Sequence, residues 1–181
     1  IGYYKNEEEN KKHFYVDKNG IKWSKTGDIG YLNNNGELFV SGRASDYSII
    51  NNKKIFNFDV ENIILSFNQI KNCDVFEKYG ILVMHLIPDK NYNKEDLRRL
   101  IKQIQKSIFE VFKDVDYVPF VFKIRDTFPC AKSGKRDLIK LKSENEDFFT
   151  INNDKMENYI INDNKKELKK ILKIKEVKYE E

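Results

Sequence analysis

Three short runs in this chain carry side chains whose types and spacing could do chemistry. The first is Thr26-Gly27-Asp28, within WSKTGDIGYL. An ionised carboxylate beside a glycine turn offers two acceptor oxygens, which suit the paired hydroxyls of a sugar. The plainer reading is a turn Asp bonded to its own backbone, and for an isolated TGD that reading is the commoner one. The second is Gly42-Arg43, opening GRASDYSIINNKKIFNFDVE; taken alone it is a surface arginine after a strand. The third, FPCAKSGKRDLIKL, places Lys135 after Ser133-Gly134 on a short polar loop. Lysine is a compact positive charge on a long arm, suited to drawing anionic groups together. A Walker A loop also ends in SGK, but Pro129 stands where that loop needs its first glycine.

The elements around these runs follow from turn chemistry and hydrophobic period. Residues 1 to 41 read as β-rich. Asp17-Lys18-Asn19-Gly20 and Asn33-Asn34-Asn35-Gly36 are turn signals, with short strands expected at Ile21 to Trp23, Ile29 to Leu32 and Glu37 to Ser41. Asp59 can cap a helix running to about Phe67, with Val60, Ile63, Ile64 and Phe67 at helical spacing. Cys73 to Lys78 and Gly80 to Ile87 read as a strand pair turning near Tyr79-Gly80. The clearest helix runs from about Lys94 to Lys113, where Leu97, Leu100, Ile101, Ile104, Ile108 and Phe112 form one stripe. Tyr117 to Arg125 reads as a third strand with Pro119 near its start. From Ser143 the chain turns polar, and Lys165 to Lys178 could form an amphipathic helix on Leu168, Ile171 and Leu172.

Composition narrows the function classes. The chain has 181 residues, 40% of them hydrophobic and 34% charged, and its longest apolar run is Ile81 to Ile87. That run suits a buried strand and is far short of the ~20 residues a membrane span needs. A soluble, cytoplasmic protein is expected, with no signal peptide visible. The net charge of +4 is small against 33 basic and 29 acidic residues, so nucleic acid is not an expected partner. Cys73 and Cys130 lack CxxC spacing and read as free thiols, and two histidines leave no metal site to propose.

Taken together and in order, the three runs resemble the adenylate-forming superfamily of acyl-CoA synthetases and peptide-synthetase adenylation domains, in its C-terminal portion. GYYKNEEENKKHFYVDKNGIKWSKTGDIGYLNNNGELFVSGR is similar, nearly end to end, to the family stretch GYYxxxxxT…F…DGWxxTGDxGxxdxdGxlxfxGR. The next run aligns without a gap on GRxDxxIKxxGxxIxPxEVE, and the last on LPxTxSGKxDRxxL with Phe128 for Leu and Ala131 for Thr. The resemblance implies that Asp28 and Arg43 bind nucleotide, Asp28 at the ATP ribose and Arg43 at ribose and phosphate. It implies that Lys135 is the catalytic lysine. The hinge falls on Ser45 and Asp46, with Ser45 at the usual acidic position, and the thiol-side loop falls on Asn51 and Asn52. Ile49 replaces the usual Lys and Asn52 the usual loop glycine, although Asn enters left-handed conformations at modest cost. These departures bear on the thioester-forming step more than on adenylation. They also fit an alternative, a non-catalytic relative that keeps only nucleotide or partner binding.

The implied activity is that of an ATP-dependent, AMP-forming acid ligase. A carboxylic acid and Mg-ATP give an acyl-adenylate, and the acyl group then passes to a thiol, either coenzyme A or the phosphopantetheine of an acyl or peptidyl carrier protein. The implied fold is α+β: a small C-terminal domain with a short antiparallel sheet packed by helices, preceded by β-hairpins. Residues 1–43 would close the large N-terminal domain, 44–142 would form the mobile domain bearing the lysine loop, and 143–181 a polar, partly helical tail. The chain begins without a start signal and lacks the family's phosphate loop and carboxylate pocket. It is therefore expected to be cut from a longer protein, to rely on its own N-terminal domain for ATP and Mg, and to be inactive alone.

Overall fold

Two Asx turns shape the beginning of the chain. The computed structural model describes residues 2–113, 120–152 and 155–161, and the chain divides into two compact units between Asp46 and Tyr47. In the first unit, Asp17 Oδ1 accepts the Asn19 and Ile21 amides at 2.9 Å each, joining β1 (Phe14–Val16) to β2 (Lys22–Ser24). Asn33 Oδ1 does the same for Asn35 and Glu37, joining β3 (Asp28–Leu32) to β4 (Leu38–Arg43). Both pairs are antiparallel hairpins, as the turn signals require.

The β-rich reading of this stretch missed one helix, α1 (Glu7–His13). Its signals are local: Asn6 caps the Glu9 amide, Glu7 to Glu9 fill the first turn and Lys11 to His13 the last. That order of charge complements the helix dipole. No described residue of this unit is buried, so turn hydrogen bonds, rather than a core, define its shape.

The second unit opens with a hairpin, β5 (Tyr47–Ile50) and β6 (Lys53–Phe56), and runs directly into α2 (Asn57–Leu65). Asp59 is not the cap of this helix. Phe56 occupies the cap position without a side-chain bond, and Asp59 sits inside the first turn. Beyond it lies a five-stranded sheet ordered β11-β10-β9-β8-β7, formed by Ile70–Lys78 (β7), Ile81–Pro88 (β8), Phe120–Ile124 (β9), Phe148–Asn152 (β10) and Lys155–Tyr159 (β11). The sheet is mixed rather than purely antiparallel, because β8 and β9 pair in parallel. A parallel pair needs a long crossover, and α3 (Lys94–Val111) supplies it.

Side-chain alternation along the strands builds two cores. Leu82, Met84, Leu86, Val75, Phe120 and Phe122 face α2 and the Leu100–Ile101–Ile104–Ile108 stripe of α3. Phe76, Ile81, Val83, Val121 and Phe148 pack on the other face with Leu141 of α4 (Leu138–Ser143). β8 is buried on both faces, which is why it reads as an apolar run interrupted only by His85.

The stretch expected as a polar tail contributes the last two strands. Phe148-Phe149-Thr150-Ile151 is a short β-prone run hidden among Asn, Asp and Glu, and Phe148, Phe149 and Thr150 are buried. The helix expected over 165–178 and the strand start at 117–119 lie outside the described residues. No helix among the described residues is long and apolar enough to cross a membrane.

Candidate functional site

In the first unit the hairpin β3–β4 brings two of the expected residues together. Asp28 and Arg43 are direct cross-strand partners, with Arg43 Nη1 3.1 Å from Asp28 Oδ1. The Arg43 guanidinium also donates to the Thr26 carbonyl, and the Asp28 amide donates to Thr26 Oγ1 at 3.2 Å. Gly27 makes this approach possible: its φ is +80°, and the Ala44 amide closes onto its carbonyl at 2.8 Å. Asp28 is therefore held by an arginine rather than by its own turn, and 38% of its side chain remains exposed. A carboxylate and a guanidinium side by side form a donor-acceptor edge suited to a sugar diol and an adjacent phosphate.

Ser45 and Asp46 lie on the turn that leaves β4, where the Asp46 amide donates to the Arg43 carbonyl at 3.1 Å. Both are exposed and stand at the boundary between the units. Asn51 and Asn52 form the two-residue turn of β5–β6, with φ of 49° and 61°. Two successive left-handed residues define a type I′ hairpin, so Asn52 does keep the turn that the resemblance assigns to glycine. Ile49, at the usual lysine position, is exposed and pairs across the hairpin with Lys54. The Lys54 ammonium lies over the Tyr47 and Phe56 rings, 4.1 and 4.4 Å from their centroids.

Lys135 sits on a miniature hairpin of the second unit. Cys130 and Arg136 bridge antiparallel, the Ala131 amide donates to the Lys135 carbonyl at 2.8 Å, and the Gly134 amide donates to Ala131 at 2.9 Å. Gly134, at φ +77°, is the left-handed residue this tight reversal demands. Lys135 is exposed and makes no ion pair among the described residues. Arg136, singled out by no sequence signal, turns inward. It meets Asp74 of β7, donates to the Cys73 carbonyl at 2.9 Å and Asn72 Oδ1 at 3.0 Å, and lies 4.2 Å above the Phe128 ring.

One histidine is strongly perturbed inside the second unit. His85 is fully buried on β8, stacked on Phe76, and accepts the Arg125 Nε hydrogen at Nδ1, 2.6 Å away. Burial and the nearby Arg125 charge drive its pKa down to about 3. Arg125 and Lys123 in turn pair with Glu144, just after α4. A neutral imidazole locked inside a packed layer is a structural group and offers no proton to a ligand. No group of three or more potential metal ligands occurs among the described residues.

No protein-family profile matches the chain. Individual relatives do. It is 34% identical over 139 residues to the 2-succinylbenzoate–CoA ligase of Bacillus licheniformis, covering 74% of this chain and 26% of that enzyme. The o-succinylbenzoate CoA synthetase of Bacillus subtilis, solved with its acyl-adenylate intermediate, superposes with a TM-score of 0.51 at 28% identity over 78% of this chain and 28% of that one. Klebsiella oxytoca NpsA, solved with 3-hydroxyanthranilyl-AMSN, shares the fold with a TM-score of 0.60 at 16% identity, over 78% of this chain and 28% of that one. The chain spans about a quarter of the length of the curated relatives it matches. With the TGD and GR runs meeting on one hairpin and the SGK run on another, the chain belongs to the adenylate-forming enzyme superfamily.

Proposed function

We propose that this chain carries the ribose-gripping edge and the catalytic lysine of an ATP-dependent, AMP-forming acid ligase. In the first half-reaction a carboxylate oxygen attacks the α-phosphorus of ATP, the bond to pyrophosphate breaks, and pyrophosphate leaves. In the second, a thiol of coenzyme A or of a carrier protein's phosphopantetheine attacks the acyl carbon and AMP leaves. Asp28 accepts the ribose hydroxyls, and Arg43 orients Asp28 while facing the phosphate. Lys135 neutralises the charge that gathers as two anions meet, a role that needs an unpaired, mobile ammonium. Mg, the carboxylate pocket and the choice of acid fall to the protein outside this chain, so the chain alone is inactive.

The observation that carries the reading is the contrast within one loop: Arg136 is anchored inward while Lys135 is exposed and unpaired among the described residues. A lysine serving only stability would be found in an ion pair or packed along its stem. A pivot at Ser45-Asp46 then exchanges the Lys135 loop for the Asn51-Asn52 hairpin between the two half-reactions. In the full-length protein, Lys135→Ala should lower acid-dependent pyrophosphate exchange by about 10² to 10³-fold and leave thiol transfer from preformed acyl-adenylate largely intact. Unchanged exchange would remove the assignment. The second reading, a non-catalytic nucleotide binder, draws on Ser45, Ile49 and Asn52, and labelled acyl-AMP formed by the full-length protein would exclude it.

A further inference from the structure

A catalytic lysine must be delivered to a particular place, and the loop's own hydrogen bonds cannot do that. The bonds among Pro129, Ala131, Gly134, Lys135 and Asp137 set the shape of the hairpin, but not its position on the sheet. Arg136 ties the loop to the edge of β7. Its guanidinium reaches three consecutive residues of β7, Asn72 through its side-chain oxygen, Cys73 through its carbonyl and Asp74 through its carboxylate, while its face covers Phe128. Asp74 is 7% exposed and Arg136 30%, so the pair is shielded from the solvent that weakens surface ion pairs.

From this geometry we infer that Arg136 is a positioning residue for Lys135. The inference rests on Lys135 acting as proposed above. Successive side chains of an extended segment point to opposite sides. Fixing Arg136 onto the edge of β7 therefore directs Lys135 away from the sheet, and the planar fork sets the angle as well as the distance. The same stretch of β7 also carries α2: the Val75 amide donates to Glu61 Oε1 at 3.1 Å, and Cys73 Sγ approaches the Glu61 carbonyl at 3.8 Å. Since α2 follows the Asn51-Asn52 hairpin directly, residues 72–75 support both tips that the two half-reactions use.

The test uses the full-length protein with Arg136→Met alone and with the double variant Asp74→Asn/Arg136→Met. The single change removes a guanidinium from a shielded carboxylate and lowers the thermal midpoint; the double change neutralises that carboxylate and restores the midpoint. In the double variant, kcat for acid-dependent pyrophosphate exchange should stay about 10- to 100-fold low, because a misplaced group costs rate without weakening binding. The KM for ATP and thiol transfer from preformed acyl-adenylate should be unchanged. Return of the wild-type rate with the midpoint would make Arg136 merely structural and overturn the inference. Amide exchange at Ala131 and Asp137 gives a readout independent of catalysis: it should accelerate in both variants, and unchanged exchange would also overturn the inference. If the wild type itself supports no pyrophosphate exchange, the adenylation reading fails, and accelerated amide exchange would then leave Arg136 an anchor with no catalytic purpose.

Discussion

Asp28 and Arg43 occupy opposing positions of one β-ladder, so the hairpin register alone brings the carboxylate and the guanidinium to 3.1 Å. Both remain exposed, Arg43 more than Asp28, which separates their two possible roles. An exposed ion pair adds about 1 kcal/mol or less to stability, whereas a charged hydrogen bond to a ligand is worth roughly 1.5–3 kcal/mol. Asp28→Asn should therefore leave the thermal midpoint nearly unchanged and raise the KM for ATP in pyrophosphate exchange by about tenfold or more. An unaltered ATP dependence would return Asp28 to the status of a turn residue.

Lys135 and its neighbour Gly134 separate chemistry from loop geometry. Lys135→Ala removes an exposed ammonium and should cost about 10² to 10³ in adenylation rate, the usual loss when a transition-state charge donor is deleted. The folded state should lose little, since Lys135 has no ion pair among the described residues. Gly134→Ala keeps the ammonium but forces a side chain into φ +77°, at about 1–2 kcal/mol. Its loss of rate should be smaller than that of Lys135→Ala and accompanied by a lower midpoint. Equal rate losses would indicate that loop shape, not the amine, is what the reaction needs.

How much of this was legible in advance depended on how local each cause was. The α3 stripe is periodic and the β8 run nearly continuous, each within its own sequence. The turns at Asp17, Asn33 and Tyr79-Gly80 are written in their own side chains, and structure and sequence agree on them. The parallel pairing of β8 with β9 was not readable, because it depends on which strand α3 returns beside. Neither was β10, whose Phe148 and Phe149 are buried by residues far upstream in the chain. The pairing of Arg136 with Asp74 spans 62 positions, and nothing near either residue announces it. The charge order of α1 is local and readable, yet a stretch read as β-rich from its turn signals left it out.

The Asn51-Asn52 turn gives a prediction for the second half-reaction. Both residues are left-handed, and glycine at the second position of such a turn is at least as well tolerated as asparagine. Asn52→Gly should therefore leave the hairpin folded and adenylation unchanged, while removing a side chain from the loop proposed to face the thiol arm. Thioester formation from preformed acyl-adenylate should rise severalfold. An unchanged rate would show that this side chain does not obstruct the acceptor.

The layer between the sheet and α4 should make the fold acid-sensitive, with a sign that follows from two groups. His85 has its pKa lowered from 6.5 to about 3, by burial first and then by the Arg125 charge. Burial pushes the Glu144 carboxyl upward, but its bonds to Lys123 and Arg125 outweigh this and hold it below the usual value of 4.5. In both cases the unfolded chain binds protons before the folded one does, so stability rises with pH across each window. The His85 contribution is complete above about pH 6.5 and fades toward pH 3; that of Glu144 is complete above about 4.5 and fades below it. One proton taken up only on unfolding changes stability by about 1.4 kcal/mol per pH unit, so about 2 kcal/mol should be lost between pH 7 and pH 5, through His85 almost alone. His85→Gln keeps an acceptor for Arg125 and cannot titrate. Denaturant unfolding of this variant should show the pH 5 to 7 dependence flattened and the drop below pH 4.5 retained, whereas a wild-type-like slope above pH 5 would assign the acid sensitivity to some other group.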